Sequence, residues 1–215
     1  RELIKGKTIL DASSGSFACA MSYFGKIFGF PVLTVTGTKM TEDKLKFVKY
    51  FGAENVSIDA KFTIESNRYC KDVLIADNPN DYCFLDQLHN WENPEAHYKT
   101  TGPEILKDFP NISAVAFSIG SGGTLCGVSK FLREHSPETK IIAVTAEKGT
   151  KIPGTAGFLD GEYETPFIKE LNNENRIDYT AVISEEMAIK NVLDMRTNGL
   201  YVGIQTGGVI QGMKD

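Results

Sequence analysis

The 215-residue sequence has few cysteines, no long apolar run and no block of like charges. Its four cysteines, Cys19, Cys70, Cys83 and Cys126, are far apart and form no C-x-x-C pair, so neither a zinc site nor a disulfide framework is predicted. We expect buried thiols. No apolar stretch approaches the roughly 20 residues that span a bilayer, and the first residues lack the apolar block of a secretory signal. These absences predict a soluble cytoplasmic protein with no membrane partner.

Basic residues are also too few and too scattered to form a binding site for nucleic acid. The chain carries 28 acidic and 23 basic side chains, which gives a net charge of −5 and a pI near 5.3. That balance argues against a nucleic-acid groove and favours a small anionic or zwitterionic ligand. The three histidines, His89, His97 and His135, lack the spacing of metal ligands, so we predict no metal site and assign them no chemistry.

What the sequence does contain is an alternation of short apolar runs with amphipathic segments of helix length. This alternation is typical of an α/β protein with a mostly parallel sheet flanked by helices. The predicted strands are residues 8–10, 31–35, 56–58, 82–85, 114–119, 141–144 and 201–204. Residues 147–176 contain glycine, proline and asparagine without clear periodicity, and we predict a surface connection there.

Three predicted strands run into loops rich in glycine and hydroxyl side chains, at residues 13–17, 120–124 and 205–208. Ligands of open parallel sheets bind at the carboxyl ends of the strands, so these loops could converge on one crevice. A single loop of this kind is equally compatible with a purely structural turn. Three similar loops favour a binding site.

The middle loop, Gly120-Ser121-Gly122-Gly123-Thr124, is the most specific of the three. Its glycines allow backbone N–H groups to turn inward, and the positive end of the following helix and two hydroxyls complete a cradle suited to a phosphate. The loop is neither a nucleotide P-loop, because no G-K-[S/T] follows, nor a G-x-G-x-x-G turn.

Four motifs together resemble one enzyme family, cysteine synthase (O-acetylserine sulfhydrylase) and cystathionine β-synthase. In chain order they are residues 87–90 (QLHN), 93–98 (NPEAHY), 100–105 (TTGPEI) and 120–124 (GSGGT). The resemblance implies pyridoxal 5'-phosphate as cofactor and the tryptophan synthase β fold, with two open, mostly parallel twisted sheets. It also implies a smaller substrate-side domain over residues 1–90, part of a larger cofactor-phosphate domain over 91–215, and a homodimer.

The resemblance also assigns roles to the loops. Residues Gly120 to Thr124 would hold the cofactor phosphate, and Ser16 and Gln205 would contact the cofactor. The substrate carboxylate would be received by Ser13, Ser14, Gly15, Phe17 and Gln87. The implied reaction is a β-replacement on a β-substituted alanine, in which O-acetylserine and sulfide give cysteine.

Three substitutions inside these loops keep other functions open. Ser16 stands where the family has asparagine, Phe17 where it has threonine, and Gln205 where it has serine. A cysteine desulfhydrase that catalyses β-elimination and a non-catalytic metabolite-binding module are both compatible with these changes. An unrelated phosphate-binding α/β domain would explain the glycine-rich loops but not the motif at Pro94.

The family's catalytic lysine, which binds the cofactor upstream of the first loop, has no match in this chain, so the catalytic residues stay unassigned. The link at residues 147–151 is also shorter than the family's. We therefore expect the chain to be incomplete at both ends, and we expect that this segment cannot catalyse by itself.

Overall fold

The structure, a computed structural model, describes residues 4–38, 40–150, 152–158, 161 and 163–215. It divides into two units, Arg1–Gln87 and Leu88–Asp215. Each unit contains one sheet, and every strand pair in both sheets is parallel. This arrangement confirms the predicted α/β class with two parallel sheets flanked by helices.

The first unit has four strands in the spatial order β3-β2-β1-β4. Its elements are β1 (Thr8–Ala12), α1 (Ser16–Phe28), β2 (Val32–Thr36), α2 (Glu42–Tyr50), β3 (Glu54–Ser57), α3 (Thr63–Tyr69), a π-helical segment (Cys70–Ile75) and β4 (Tyr82–Phe84).

Both faces of this sheet are covered, which is why the central strands β1 and β2 are apolar or β-branched at every position except Asp11. All five residues of β2 are buried. Side chains of α1 and α2, including Ala18 and Val48, pack with Val32 on one face, while Cys70 packs with Leu10 on the other. Since β1 pairs with both β2 and β4, the carboxyl ends of β1 and β4 lie side by side.

The second unit has a three-stranded sheet in the order β5-β6-β7. Its elements are α4 (Glu92–Lys99), α5 (Thr101–Asp108), β5 (Ala114–Ser118), α6 (Gly123–His135), β6 (Lys140–Ala146), α7 (Pro166–Asn173), β7 (Tyr179–Ile183), α8 (Glu185–Thr197) and α9 (Ile204–Lys214). Leu125, Val128 and Leu132 of α6 form a core cluster with Phe167 and Leu171 of α7.

The prediction of a surface connection over residues 147–176 is wrong for its last part. Thr165 has the extended backbone of an N-cap residue, and Pro166 occupies the first helical position of α7, where its missing N–H costs nothing. The helix is only eight residues long, too short for a clear period, but it buries Phe167 and Leu171 against the sheet. Strand β7 lies in a stretch to which the sequence analysis assigned no element. Lys151, at the end of the short link, lies outside the described residues.

The prediction of a strand at residues 201–204 is also wrong. Among the described residues, Tyr201 and Val202 pair with no strand, and Gly203 is the N-cap of α9. An apolar run becomes a strand only where a neighbouring strand accepts its hydrogen bonds. Gln205 therefore lies in the first turn of a helix, and Gly207 and Gly208 lie within that helix rather than in a loop.

Candidate functional site

The turn between β5 and α6 has the backbone shape of an anion site. Gly122 is the N-cap of α6 and has a left-handed conformation, with φ of +88°. A Cβ atom added there would lie 2.7 Å from Cγ1 of Ile168, so the position requires glycine for both its conformation and its surroundings. The first N–H groups of α6 lack intrahelical acceptors; that of Gly123 donates to Ser121 Oγ, and those that follow it can face an anion.

Side chains from two other segments and from the turn itself hold this turn in shape. Ser121 Oγ accepts the Gly123 N–H at 3.3 Å and a hydrogen bond from Asn93 Nδ2 at 3.2 Å. Thr165 Oγ1 donates to the carbonyl of Ser121. A Cβ at Gly123 would come within 2.0 Å of Asn93 Oδ1, so Gly123 permits the close approach of Asn93. Asn93 thus supports the cradle, a role that only its place in the fold reveals.

The electrostatics of the turn also suit an anion. The first turn of α6 contains no acidic residue, so nothing there opposes the positive end of the helix dipole. Ser121 and Thr124 add two hydroxyl groups at the same helix end. The residues present therefore fit a phosphate group.

His97 contacts Thr124, a residue of this cradle, although its sequence position suggested no chemistry. Its Nε2 atom is 3.0 Å from Thr124 Oγ1, and its Nδ1 atom is 2.9 Å from Thr101 Oγ1. Burial lowers the pKa of the imidazole, which favours the neutral ring. A neutral ring has one donor and one acceptor nitrogen, so it can orient both threonine hydroxyls. Sequence spacing gave no sign of this contact.

Gln205 approaches the same turn through Gly154. Its Nε2 atom donates to the Gly154 carbonyl at 2.7 Å. A Cβ at Gly120 would lie 3.1 Å from that carbonyl oxygen, so the loop of Gly154 lies between Gly120 and Gln205. The next residue, Thr155, has a buried hydroxyl without a hydrogen-bond partner among the described residues. The second unit thus brings together two of the three predicted loops.

In the first unit, the serine side chains of the predicted loop at residues 13–17 accept hydrogen bonds from backbone N–H groups in and near the loop. Ser13 Oγ accepts the N–H groups of Gly15 and Ala18, both at 3.2 Å, and Ser14 Oγ accepts the Gly37 N–H at 3.2 Å. No acidic residue lies in the first turn of α1, so this helix end can also receive an anion such as a carboxylate.

Two other residues of this loop differ in exposure. Ser16, the first residue of α1, is exposed. Phe17 is half-buried and packs against the apolar cluster that contains Ala18 and Met21. The Phe17 ring therefore contributes to the core, and a role in carboxylate binding would fall to its backbone N–H.

Gln87, the other predicted carboxylate ligand, is tied to this loop by hydrogen bonds. Its Nε2 atom donates to the Ala12 carbonyl at 2.9 Å, and its backbone N–H donates to Asp11 Oδ2 at 2.9 Å. Asp11 is fully buried, and burial raises its pKa to about 7. Sequence reasoning missed Asp11, because a single acidic residue inside an apolar strand forms no motif.

The described residues contain no group of three His, Cys, Asp or Glu side chains that could hold a metal ion. All four cysteines are free thiols; Cys70 and Cys126 are buried as expected, whereas Cys19 and Cys83 are only partly buried. In the part of the chain that is described, no helix is long and apolar enough to cross a membrane.

Comparison with known proteins gives consistent matches along the whole chain. A family model for pyridoxal-phosphate dependent enzymes matches residues 1–215. The chain is 27% identical over 213 residues to cysteine synthase B of Escherichia coli strain K12, covering 98% of this chain and 68% of that protein. It is 34% identical over 203 residues to cysteine synthase 3 of Caenorhabditis elegans, covering 87% of this chain and 60% of that protein.

A solved structure of a hydrogen sulfide-producing enzyme matches with a TM-score of 0.84 and 26% identity, covering 97% of this chain and 65% of that one. The chain thus spans about two thirds of the length of the relatives that it matches.

Proposed function

Since this chain belongs to the family of pyridoxal-phosphate dependent enzymes, we propose that the protein carrying it performs a β-replacement on a β-substituted alanine, with O-acetylserine and sulfide giving cysteine. The observation that supports this proposal is the turn before α6, where Gly122, Ser121 and Thr124 fit a phosphate and would hold that of the cofactor. The bound cofactor supplies an electron sink for negative charge at the substrate α-carbon.

Each unit of the chain contributes separately to the proposed function. In the second unit, the N–H groups of α6 bind the phosphate, His97 orients the Thr124 hydroxyl, and Gln205 contacts the cofactor. In the first unit, the start of α1 and Gln87 receive the substrate carboxylate, and Ser16 occupies the exposed first position of α1. A smaller substrate-side domain, a larger cofactor domain, a homodimer and a cytoplasmic location complete the proposal.

A second candidate is β-elimination, in which cysteine releases sulfide. Two observations favour it. One is the structural match to a hydrogen sulfide-producing enzyme, and the other is that Ser16 and Gln205 differ from the residues of the cysteine synthase family at these positions. A serine hydroxyl is shorter than an asparagine side chain and lacks its amide donor, which alters the contacts available to cofactor and substrate.

Two assays of the full-length protein separate these reactions. After reconstitution with pyridoxal phosphate, visible absorbance reports the bound cofactor. O-acetylserine and sulfide are then supplied and cysteine is measured; in parallel, cysteine alone is supplied and sulfide is measured. Replacement predicts faster cysteine formation than sulfide release. Faster sulfide release would favour elimination, and cofactor binding without either product would favour the non-catalytic module. Failure to bind the cofactor would overturn the proposal.

We expect His97→Phe to weaken pyridoxal phosphate binding roughly 3- to 10-fold, because Thr124 loses one oriented hydrogen bond worth about 1 kcal/mol. The dissociation constant is measured by titrating the full-length apoprotein. His135→Phe is the matched control, since that histidine stacks on Phe131 at the exposed end of α6. Equal affinities of the two variants would contradict the role of His97.

The same histidine predicts a pH dependence of stability. Burial lowers the His97 pKa below its usual 6.5, so the unfolded state binds a proton more readily than the folded state. The contribution of His97 to the free energy of unfolding is complete above pH 6.5 and decreases as the pH falls below it. Urea unfolding of the wild type and of His97→Phe across this range checks the sign, and the variant should lack this component.

A further inference from the structure

Asp11 is a fully buried carboxylate to which the proposed chemistry assigns no role. It lies near the carboxyl end of β1, immediately before the loop that begins at Ser13, and its exposed fraction is 0%. Burial of a carboxylate is costly unless hydrogen bonds compensate for the lost water. The compensating bonds therefore indicate what the residue does.

Those bonds join two separate segments of the chain. Asp11 Oδ1 accepts the Ala12 N–H at 2.6 Å, and Oδ2 accepts the Gln87 N–H at 2.9 Å. The Gln87 side chain completes a ring by donating to the Ala12 carbonyl at 2.9 Å. Two of these three hydrogen bonds thus fix the last residues of β1 against Gln87, which follows β4.

The backbone that delivers Gln87 to this ring is held by side chains as well. The preceding residue, Asp86, has a positive φ of 52°, which is uncommon for a residue other than glycine. Its carboxylate accepts a hydrogen bond from Asn67 Nδ2 at 2.9 Å and pairs with Lys71 Nζ at 2.8 Å. Residues of the α3 region therefore stabilise an unusual backbone conformation whose effect is to direct the Gln87 N–H toward Asp11.

We propose that Asp11 is a positioning residue, whose carboxylate holds Gln87 against the start of α1 and so sets the affinity for the carboxylate of the amino-acid substrate. This inference rests on the proposed function, because the loop at Ser13 and Gln87 are the segments proposed to receive that carboxylate. Asp11 itself acts through its two backbone donors and does not touch the substrate.

The ionisable groups around Asp11 predict a pH dependence. Its pKa is raised to about 7: burial is the largest cause and the Asp86 carboxylate adds to the rise, while the N–H groups of Gln87 and Ala12 and the Lys71 ammonium oppose it. Cys70, from the same region as Lys71, has a pKa raised to about 12 and stays a neutral thiol. Protonation of Asp11 below pH 7 weakens its hydrogen bonds with the two N–H groups. The affinity for the substrate carboxylate should therefore decrease at low pH.

The variant Asp11→Asn tests the proposal, because an amide can accept at its oxygen but presents N–H groups to the second backbone donor. The full-length protein is loaded with pyridoxal phosphate and titrated with alanine, which lacks a leaving group, and with alaninamide, which lacks the carboxylate. We expect alanine affinity to fall roughly tenfold, as for one lost hydrogen bond to a charged group. Alaninamide affinity and cofactor affinity should be unchanged.

Asp72→Asn, at an exposed position in the same unit, is the matched control. It should leave the affinities for alanine and alaninamide unchanged. Hydrogen exchange gives a readout independent of ligands: the Gln87 N–H should exchange faster in Asp11→Asn than in the control. An equal loss of affinity for alanine and alaninamide would show a merely structural role and overturn the proposal. Cofactor binding that fails already in the wild type would instead overturn the proposed function.

A measurement on the unmodified protein covers the case in which Asp11→Asn does not fold. The ratio of alanine to alaninamide affinity of the wild type is followed as the pH falls through about 7, the pKa of Asp11. We expect this ratio to decrease. A ratio that stays constant would contradict the role of Asp11.

Discussion

Gly122→Asp is expected to weaken the binding of pyridoxal phosphate roughly 100-fold or more. The substitution forces an L-residue into a φ of +88° and places its Cβ 2.7 Å from Ile168. It also adds a negative charge where the phosphate is proposed to bind. Two like charges about 4 Å apart repel by roughly 4 kcal/mol at an effective dielectric constant of about 20, and about 1.4 kcal/mol corresponds to a factor of ten.

Gly199→Asp provides the matched control, because backbone strain alone must be separated from the loss of the cradle. Gly199 has a φ of +79° and belongs to the same unit, but a Cβ there would meet no atom within 4 Å. Both variants are made in the full-length protein, their unfolding is followed by circular dichroism, and cofactor affinity is measured by absorbance titration. The assignment of the phosphate site is wrong if both variants bind the cofactor equally well.

Gly207→Ala should lower the free energy of unfolding by about 1–3 kcal/mol, the usual cost of an added methyl group in a closely packed site. A Cβ at Gly207 would lie 2.1 Å from the Ala188 carbonyl oxygen and 2.8 Å from Val192 Cγ2, so α9 must move away from α8. Because α9 also carries Gln205, cofactor affinity should fall together with stability.

For the neighbouring substitution Gly208→Ala, we expect no decrease in the free energy of unfolding. A Cβ there would lie 3.7 Å from Ile183 Cγ2 and 3.9 Å from Ala188 Cβ, which are ordinary contacts. Alanine has the higher helix propensity, so this variant should be neutral or more stable by up to about 1 kcal/mol. Chemical unfolding of both variants tests the pair. Similar destabilisation by the two would contradict the close packing of α8 on α9.

The glycine-rich turn before α6 could be predicted from the sequence because its determinants are local. A glycine that must be left-handed, a serine and the start of a helix all lie within five consecutive residues, Gly120 to Thr124. The same local logic explains the start of α8, where the Ser184 side chain accepts the Met187 N–H as an N-cap. It failed at residues 201–204, where the formation of a strand depended on a partner strand elsewhere in the sequence.

The amino-acid sequence alone therefore determined the α/β class, the parallel sheets, the family and the turn before α6. Tertiary structure alone decided that Asp11 bonds to Gln87, 76 residues away, and that His97 lies behind Thr124. It also decided that Gln205, in the first turn of α9, meets Gly154. The physical reason is that propensities, caps and turns act over a few residues, whereas hydrogen bonds between distant segments form only after sheets and helices pack.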